Sequence, residues 1–247
     1  MAEWNDPQTT RSPFGAQPRL DGALLGAAGR DEGLRSYMLS IYNYMASGVL
    51  LSGVVALLFA RSGLAVQVLQ TPLRWLIILA PLGFVMAMSF GLNKMQTSTL
   101  KLLFWGFAVT MGLSLSSIFL VYTGTSVAIT FFATAGAFGG LSLYGYTTKR
   151  NLSAMGGFMV MGLIGIIIAM VLNLFLQSSA MSLAISVLGV LIFAGLTAWD
   201  TQRLRAAYFD VQGTDMMQKV VIMGALSLYL DFINMFQFLL SFMGDRR

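Results

Sequence analysis

The sequence predicts an all-α membrane protein: a bundle of seven transmembrane helices. Three observations carry that expectation. The 247-residue chain is 57% hydrophobic but only 10% charged, whereas soluble domains carry about 25% charge. Its mean hydropathy is +0.76. The uncharged residues also come in continuous runs, without the in-out alternation of a barrel strand, and continuous runs select helices. With no water in the bilayer core, a spanning segment must satisfy its own backbone, which a helix does.

Charged residues punctuate the runs. Arg35 and Arg61 enclose 25 uncharged residues, the first span, about 36–60. Arg74 and Lys94 enclose 19, the second, about 75–93, with Pro81 as a kink near its start. Lys101 and Lys149 enclose 47, too many for one helix and enough for two. The polar cluster Tyr122-Thr123-Gly124-Thr125-Ser126 divides them into about 102–122 and 127–147. Arg150 and Asp200 enclose 49, divided at Gln177-Ser178-Ser179 into about 152–175 and 181–200. The last span covers about 220–243. Gly136 and Gly140, a small-xxx-small pair in the fourth span, are expected to let a neighbouring helix approach.

Residues 1–35 contain Pro7, Pro13 and Pro18 with charges of both signs. They read as a disordered tail. Eleven of the 15 Lys and Arg residues fall on the tail's side of the membrane; Arg61, Arg74, Arg246 and Arg247 fall on the other. Cytoplasmic loops carry the positive excess, so the N-terminus is expected inside and the C-terminus outside. The net charge of +5 therefore marks topology and not a nucleic-acid footprint.

The absence of Cys and His excludes disulfides, thiol nucleophiles, His-ligated zinc or haem, and serine hydrolysis with a His base. It also removes the usual neutral-pH switch, leaving carboxylates to sense protons inside the spans. Two are available. Asp200 lies at the end of the sixth span and Asp231 about halfway along the seventh. A carboxylate at mid-bilayer costs roughly 2.5–3.5 kcal/mol, so an acid kept there points to function. At 100° per residue, Gly224, Ser227, Asp231, Asn234 and Ser241 share a narrow face of the last span, and Ser186, Gly189, Phe193, Thr197 and Asp200 share a face of the sixth. These faces point into the bundle, because lipid would leave them unsatisfied. Two carboxyls within hydrogen-bond reach retain one proton between them. With it they latch two helices; without it they repel or admit a cation. Hard oxygen donors suit Ca²⁺. Asp200 has a second reading, as an interfacial acid paired with Arg203.

Two stretches resemble a known family. Ala225-Leu226-Ser227-Leu228-Tyr229-Leu230-Asp231-Phe232-Ile233-Asn234 is similar to the last-span signature of the Bax inhibitor-1 family, and Leu196-Thr197-Ala198-Trp199-Asp200-Thr201-Gln202 to its sixth-span signature. The resemblance covers residues 36–244. It implies a seven-helix fold with the last helix central. It also implies a pH-sensitive calcium leak channel of the bacterial inner membrane, gated by a hydrogen-bonded Asp200–Asp231 pair that holds calcium transiently. Some relatives latch the acids with an Arg at the end of the second span. Here that region reads Gly91-Leu92-Asn93-Lys94-Met95, which makes Lys94 the counterpart, without the bidentate fork of Arg. The Asn93-Lys94 stretch resembles a proteobacterial branch with members linked to a membrane-bound ATP-dependent protease.

The expected site is therefore Asp200 and Asp231 as proton sensors, Ser227, Asn234 and Thr197 lining the path, and Lys94 or Arg203 as latch. No resident cofactor is implied; the expected partners are the lipid bilayer, calcium ions, protons and the protease. The alternative function is a non-conducting modulator of that protease or a stress-response adaptor. An intramembrane aspartyl protease also uses two span acids sharing a proton, but Leu228-Tyr229-Leu230 before Asp231 has no glycine to open the backbone to a substrate, so no enzyme is expected.

Overall fold

The structure, a computed structural model, describes residues 19–246, with side chains from Asp31 onward. The described residues form eight helices and no strand: α1 (Arg19–Arg61), α2 (Leu64–Leu69), α3 (Leu73–Gly91), α4 (Thr97–Val121), α5 (Gly124–Thr147), α6 (Ser153–Leu176), α7 (Ser179–Val211) and α8 (Met216–Met243). The chain clusters into two units, one ending at Ser36 and one beginning at Tyr37, and the helical bundle belongs to the second.

All helices except α2 carry a stretch long and apolar enough to cross a membrane, which for α1 is Asp31–Arg61. The seven-helix expectation is met. The tail expected over 1–35 lies outside the described residues through Pro18. From Arg19 the chain is already helical, a start favoured by the helix formers Leu20, Ala23, Leu24 and Leu25.

The turns sit at the polar breaks. α4 ends at Val121, and Thr123 caps α5 by accepting from the Ser126 amide at 3.3 Å. Gln177 takes a left-handed φ of 50°, and Ser178 caps α7 by accepting from Met181 N. Each cap satisfies an amide that has no partner within its own helix.

The sixth span differs from expectation. The sequence places its end at about Asp200, and the helix that carries it, α7, continues to Val211. At about 1.5 Å per residue, that places Asp200 roughly 16 Å inside the helix end. The extension is packed, which is why it holds: Leu204 and Tyr208 are buried, and the Tyr208 ring meets Tyr37 at 5.4 Å.

The glycine expectation is also corrected. A Cβ on Gly136, Gly139 or Gly140 would meet nothing within 4 Å, so these glycines serve no close approach. In α5 that role falls to Gly145, where a Cβ would collide with the backbone carbonyl of Ala198 on α7.

α8 packs against α4, α5 and α7. In its most apolar window 67% of residues are buried, against 6% in α6 and 11% in α3. α6 and α3 therefore present their apolar surfaces outward, as lipid-facing helices do. A buried hydroxyl relay ties α8 to α1 and α4. Ser52 Oγ lies 2.6 Å from both the Tyr229 hydroxyl and the Ala108 carbonyl. The carbonyl can only accept, so Ser52 donates to it and Tyr229 donates to Ser52. A second relay joins α1, α5 and α7 through Tyr42, Ser142 and Thr201 at 2.8 and 2.9 Å.

Candidate functional site

A cavity of about 810 Å³ opens between α6, α7 and α8. Asp200 and Asp231 both line it, with Ser227, Asn234 and Arg203. The two helical faces read from the sequence thus meet across one space.

Asp200 is well supplied with partners. Its side chain is 7% exposed, and the Arg203 guanidinium, one turn further along α7, lies 3.0 Å from Oδ1. The Ser227 hydroxyl of α8 donates to Oδ2 at 2.5 Å. Arg203 also donates to Ser227 Oγ at 3.3 Å and lies over the Trp199 ring, 4.8 Å from its centroid. Two helices are thereby joined through a carboxylate, a hydroxyl and a guanidinium.

Asp231 has fewer partners. It is 6% exposed, and its Oδ2 is buried without a hydrogen-bond partner. No described hydrogen bond joins the two carboxyls. Asp200 instead spends its oxygens on Ser227 and Arg203. An unpartnered buried oxygen is costly when the group is charged, and one guanidinium neutralises only one of two acids.

Other expected residues fall in different places. Asn234 lines the cavity while its amide nitrogen donates to Leu230 O at 2.8 Å. Thr197 does not line it; its hydroxyl turns back on α7 and donates to Phe193 O at 2.7 Å. Lys94 sits in the turn after α3, exposed and away from the cavity wall. The ion pair to Asp200 belongs to Arg203. Its reach is local, three residues along one helix, and needs no approach of another span.

The structure adds Gln237 and Asn173 to the polar groups of those faces. Gln237 continues the Asp231–Asn234 stripe one turn further and is exposed well inside α8. Its signal was available, since it lies three residues after Asn234. Beyond it the cavity is walled by Ser241 and Ser186, whose hydroxyls are 3.0 Å apart, and by Asn173, which donates to Ser182 at 2.7 Å. Polar atoms thus run from the acids to the α6–α7 turn. A second cavity, of about 600 Å³, lies against α3, α4 and α8 and shares Leu230 and Gln237 with the first.

Among the described residues no group of three His, Cys, Asp or Glu side chains gathers as a metal cage. Calcium takes about six to eight oxygens. The two carboxyls alone do not supply that number.

Residues 34–247 match the family model described as Bax1-I, inhibitor of apoptosis-promoting Bax1. The chain is 44% identical to the inner membrane protein YbhL of Escherichia coli, over 93% of this chain and 98% of that protein. It is 48% identical to an uncharacterised protein of Rickettsia prowazekii, over 88% and 92% of the two chains. A Caulobacter vibrioides protein is 46% identical over 88% and 91%.

Proposed function

The chain belongs to the Bax inhibitor-1 family, and on that premise we propose that it is a passive, proton-gated cation leak of the bacterial inner membrane, with calcium as the permeant ion. One observation carries the reading: Asp231 keeps a buried, unpartnered carboxyl oxygen on the wall of the same cavity where Asp200 is already paired with Arg203. With one proton on the pair, the two acids and Arg203 sum to zero. When that proton leaves, the sum becomes −1 and the site attracts a cation. The same charge sets Asp231 against Asp200, which loosens α8 from α7. Flux therefore rises as pH rises through the titration of the pair. Asn234, Gln237 and Ser241 supply oxygens along the way. The inner-membrane location follows YbhL, whose name states it. The cytoplasmic N-terminus follows the distribution of Lys and Arg.

The test is calcium influx into proteoliposomes from mildly acid to mildly alkaline pH, with wild type beside Asp200→Asn and Asp231→Asn. A pH-dependent flux in wild type that becomes flat in both variants supports the reading. No flux above empty vesicles, with folded protein, overturns it and leaves a non-conducting role such as modulation of a membrane-bound protease.

A further inference from the structure

A third cavity, of about 810 Å³, lies between the α5–α6 loop and α7. Its walls carry Lys149, Arg150, Arg203 and Arg205, with the polar groups of Thr147, Thr148 and Asn151, and no acidic side chain lines it. Four cations around one space repel one another unless an anion sits among them. Two of them have partners within the protein: Arg203 pairs with Asp200, and Arg205 donates to Tyr146 O at 2.9 Å. Lys149 and Arg150 are exposed, and their side chains make no described ion pair or hydrogen bond.

The loop that presents them is held in place. Gln202 of α7 accepts from the Leu152 amide and donates to the Arg150 carbonyl, both at 2.8 Å. Asn151 accepts from the Ser153 amide at 2.8 Å. The backbone that carries the two unpartnered cations is therefore fixed to α7 before any ligand arrives. α6 begins there, with no cap from Leu152, so the partial positive charge of its N-terminus adds to the same field.

We propose that this cavity binds a phosphate group, that of an anionic phospholipid or a free phosphate, and that the bound anion competes with Asp200 for Arg203. The second half follows from Arg203 and Trp199, which line both cavities. The Arg203 side chain is 49% exposed, so a phosphate among Lys149, Arg150 and Arg205 offers it a second acceptor. Drawn toward that acceptor, Arg203 leaves Asp200 without its cation. Headgroup binding thereby becomes coupled to the acid pair. The coupling rests on the leak reading; the anion site itself does not.

The experiment uses the full chain in neutral phosphatidylcholine micelles, titrated with phosphatidylglycerol, with bound lipid counted by native mass spectrometry. Cations gathered on one cavity favour an anionic headgroup there, so wild type is expected to retain phosphatidylglycerol over phosphatidylcholine by about tenfold. Lys149→Gln with Arg150→Gln should bring that preference to about twofold or less. Those side chains are exposed and make no described hydrogen bond or ion pair, so the fold is kept. Arg61→Gln with Arg74→Gln, at the other end of the bundle, should leave the preference intact. Equal retention of the two lipids by wild type, or an unchanged preference in the Lys149/Arg150 variant, overturns the site. Excess inorganic phosphate that displaces the lipid identifies free phosphate as an occupant; lipid retained against it identifies the headgroup. Trp199 emission, isolated by subtracting Trp199→Phe, should change with phosphatidylglycerol in wild type and not in the Lys149/Arg150 variant. Bound lipid with unchanged Trp199 emission overturns the competition for Arg203. No arm reads ion flux, so failure of the leak leaves these results standing.

Discussion

Arg203 reaches back one turn of α7 to Asp200, 3.0 Å away, and ties a half-exposed guanidinium to a buried acid. Arg203→Gln leaves that carboxylate with Ser227 alone. Because the guanidinium is half in solvent, the expected loss is about 1 kcal/mol and not the several expected of a fully buried pair. Thermal unfolding in detergent should show it, with a smaller deficit at high salt. Adding Asp200→Asn should recover part of it, since the two residues share one interaction.

Asp231→Asn keeps the shape of the side chain and removes its charge. Flux in this variant should stay near the acid-limit value of wild type at every pH, because the site can no longer reach its −1 state. A variant whose flux still climbs with pH would place the sensing group elsewhere.

Glycines in α5 should split sharply. Gly145→Ala pushes a methyl into the Ala198 carbonyl, a backbone atom that cannot swing aside. A loss of about 1–3 kcal/mol is expected from such overpacking. Gly136→Ala and Gly140→Ala meet nothing and should be neutral or gain up to about 1 kcal/mol from helix propensity. Melting temperatures of the three variants check this.

Tyr229→Phe removes one donor from the Ser52 relay while Ser52 keeps the Ala108 carbonyl. The expected cost is about 1 kcal/mol in stability. The pH dependence of flux should be unchanged, which separates this buried glue from Asp231, two residues away.

The acid cavity was legible because helical geometry is periodic. Ser227, Asp231 and Asn234 share one face at 100° per residue, and the structure puts all three in one cavity with Asp200. The same arithmetic includes Thr197, whose hydroxyl instead closes on Phe193 O. A β-branched hydroxyl can satisfy itself on its own helix, a choice periodicity does not register. Lys94 stood as a latch by position in the chain; no spacing rule measures the distance from the turn after α3 to a cavity walled by α6, α7 and α8.

By itself the sequence determined the number of spans, their helical character and the inward faces of the last two. Lipid excludes charge and unpaired backbone, so those features follow from where charges and polar residues stand. Tertiary structure alone decided the pairing. Asp200 could bind Arg203, Lys94 or Asp231; one turn of α7 supplies Arg203, and the packing of α7 against α8 adds Ser227 while Asp231 keeps an unpartnered oxygen. It also decided that α7 runs on to Val211 and that Gly145, not Gly136, meets a neighbour. Contacts between helices depend on how their axes cross and rotate, and that is fixed jointly by all the packed faces.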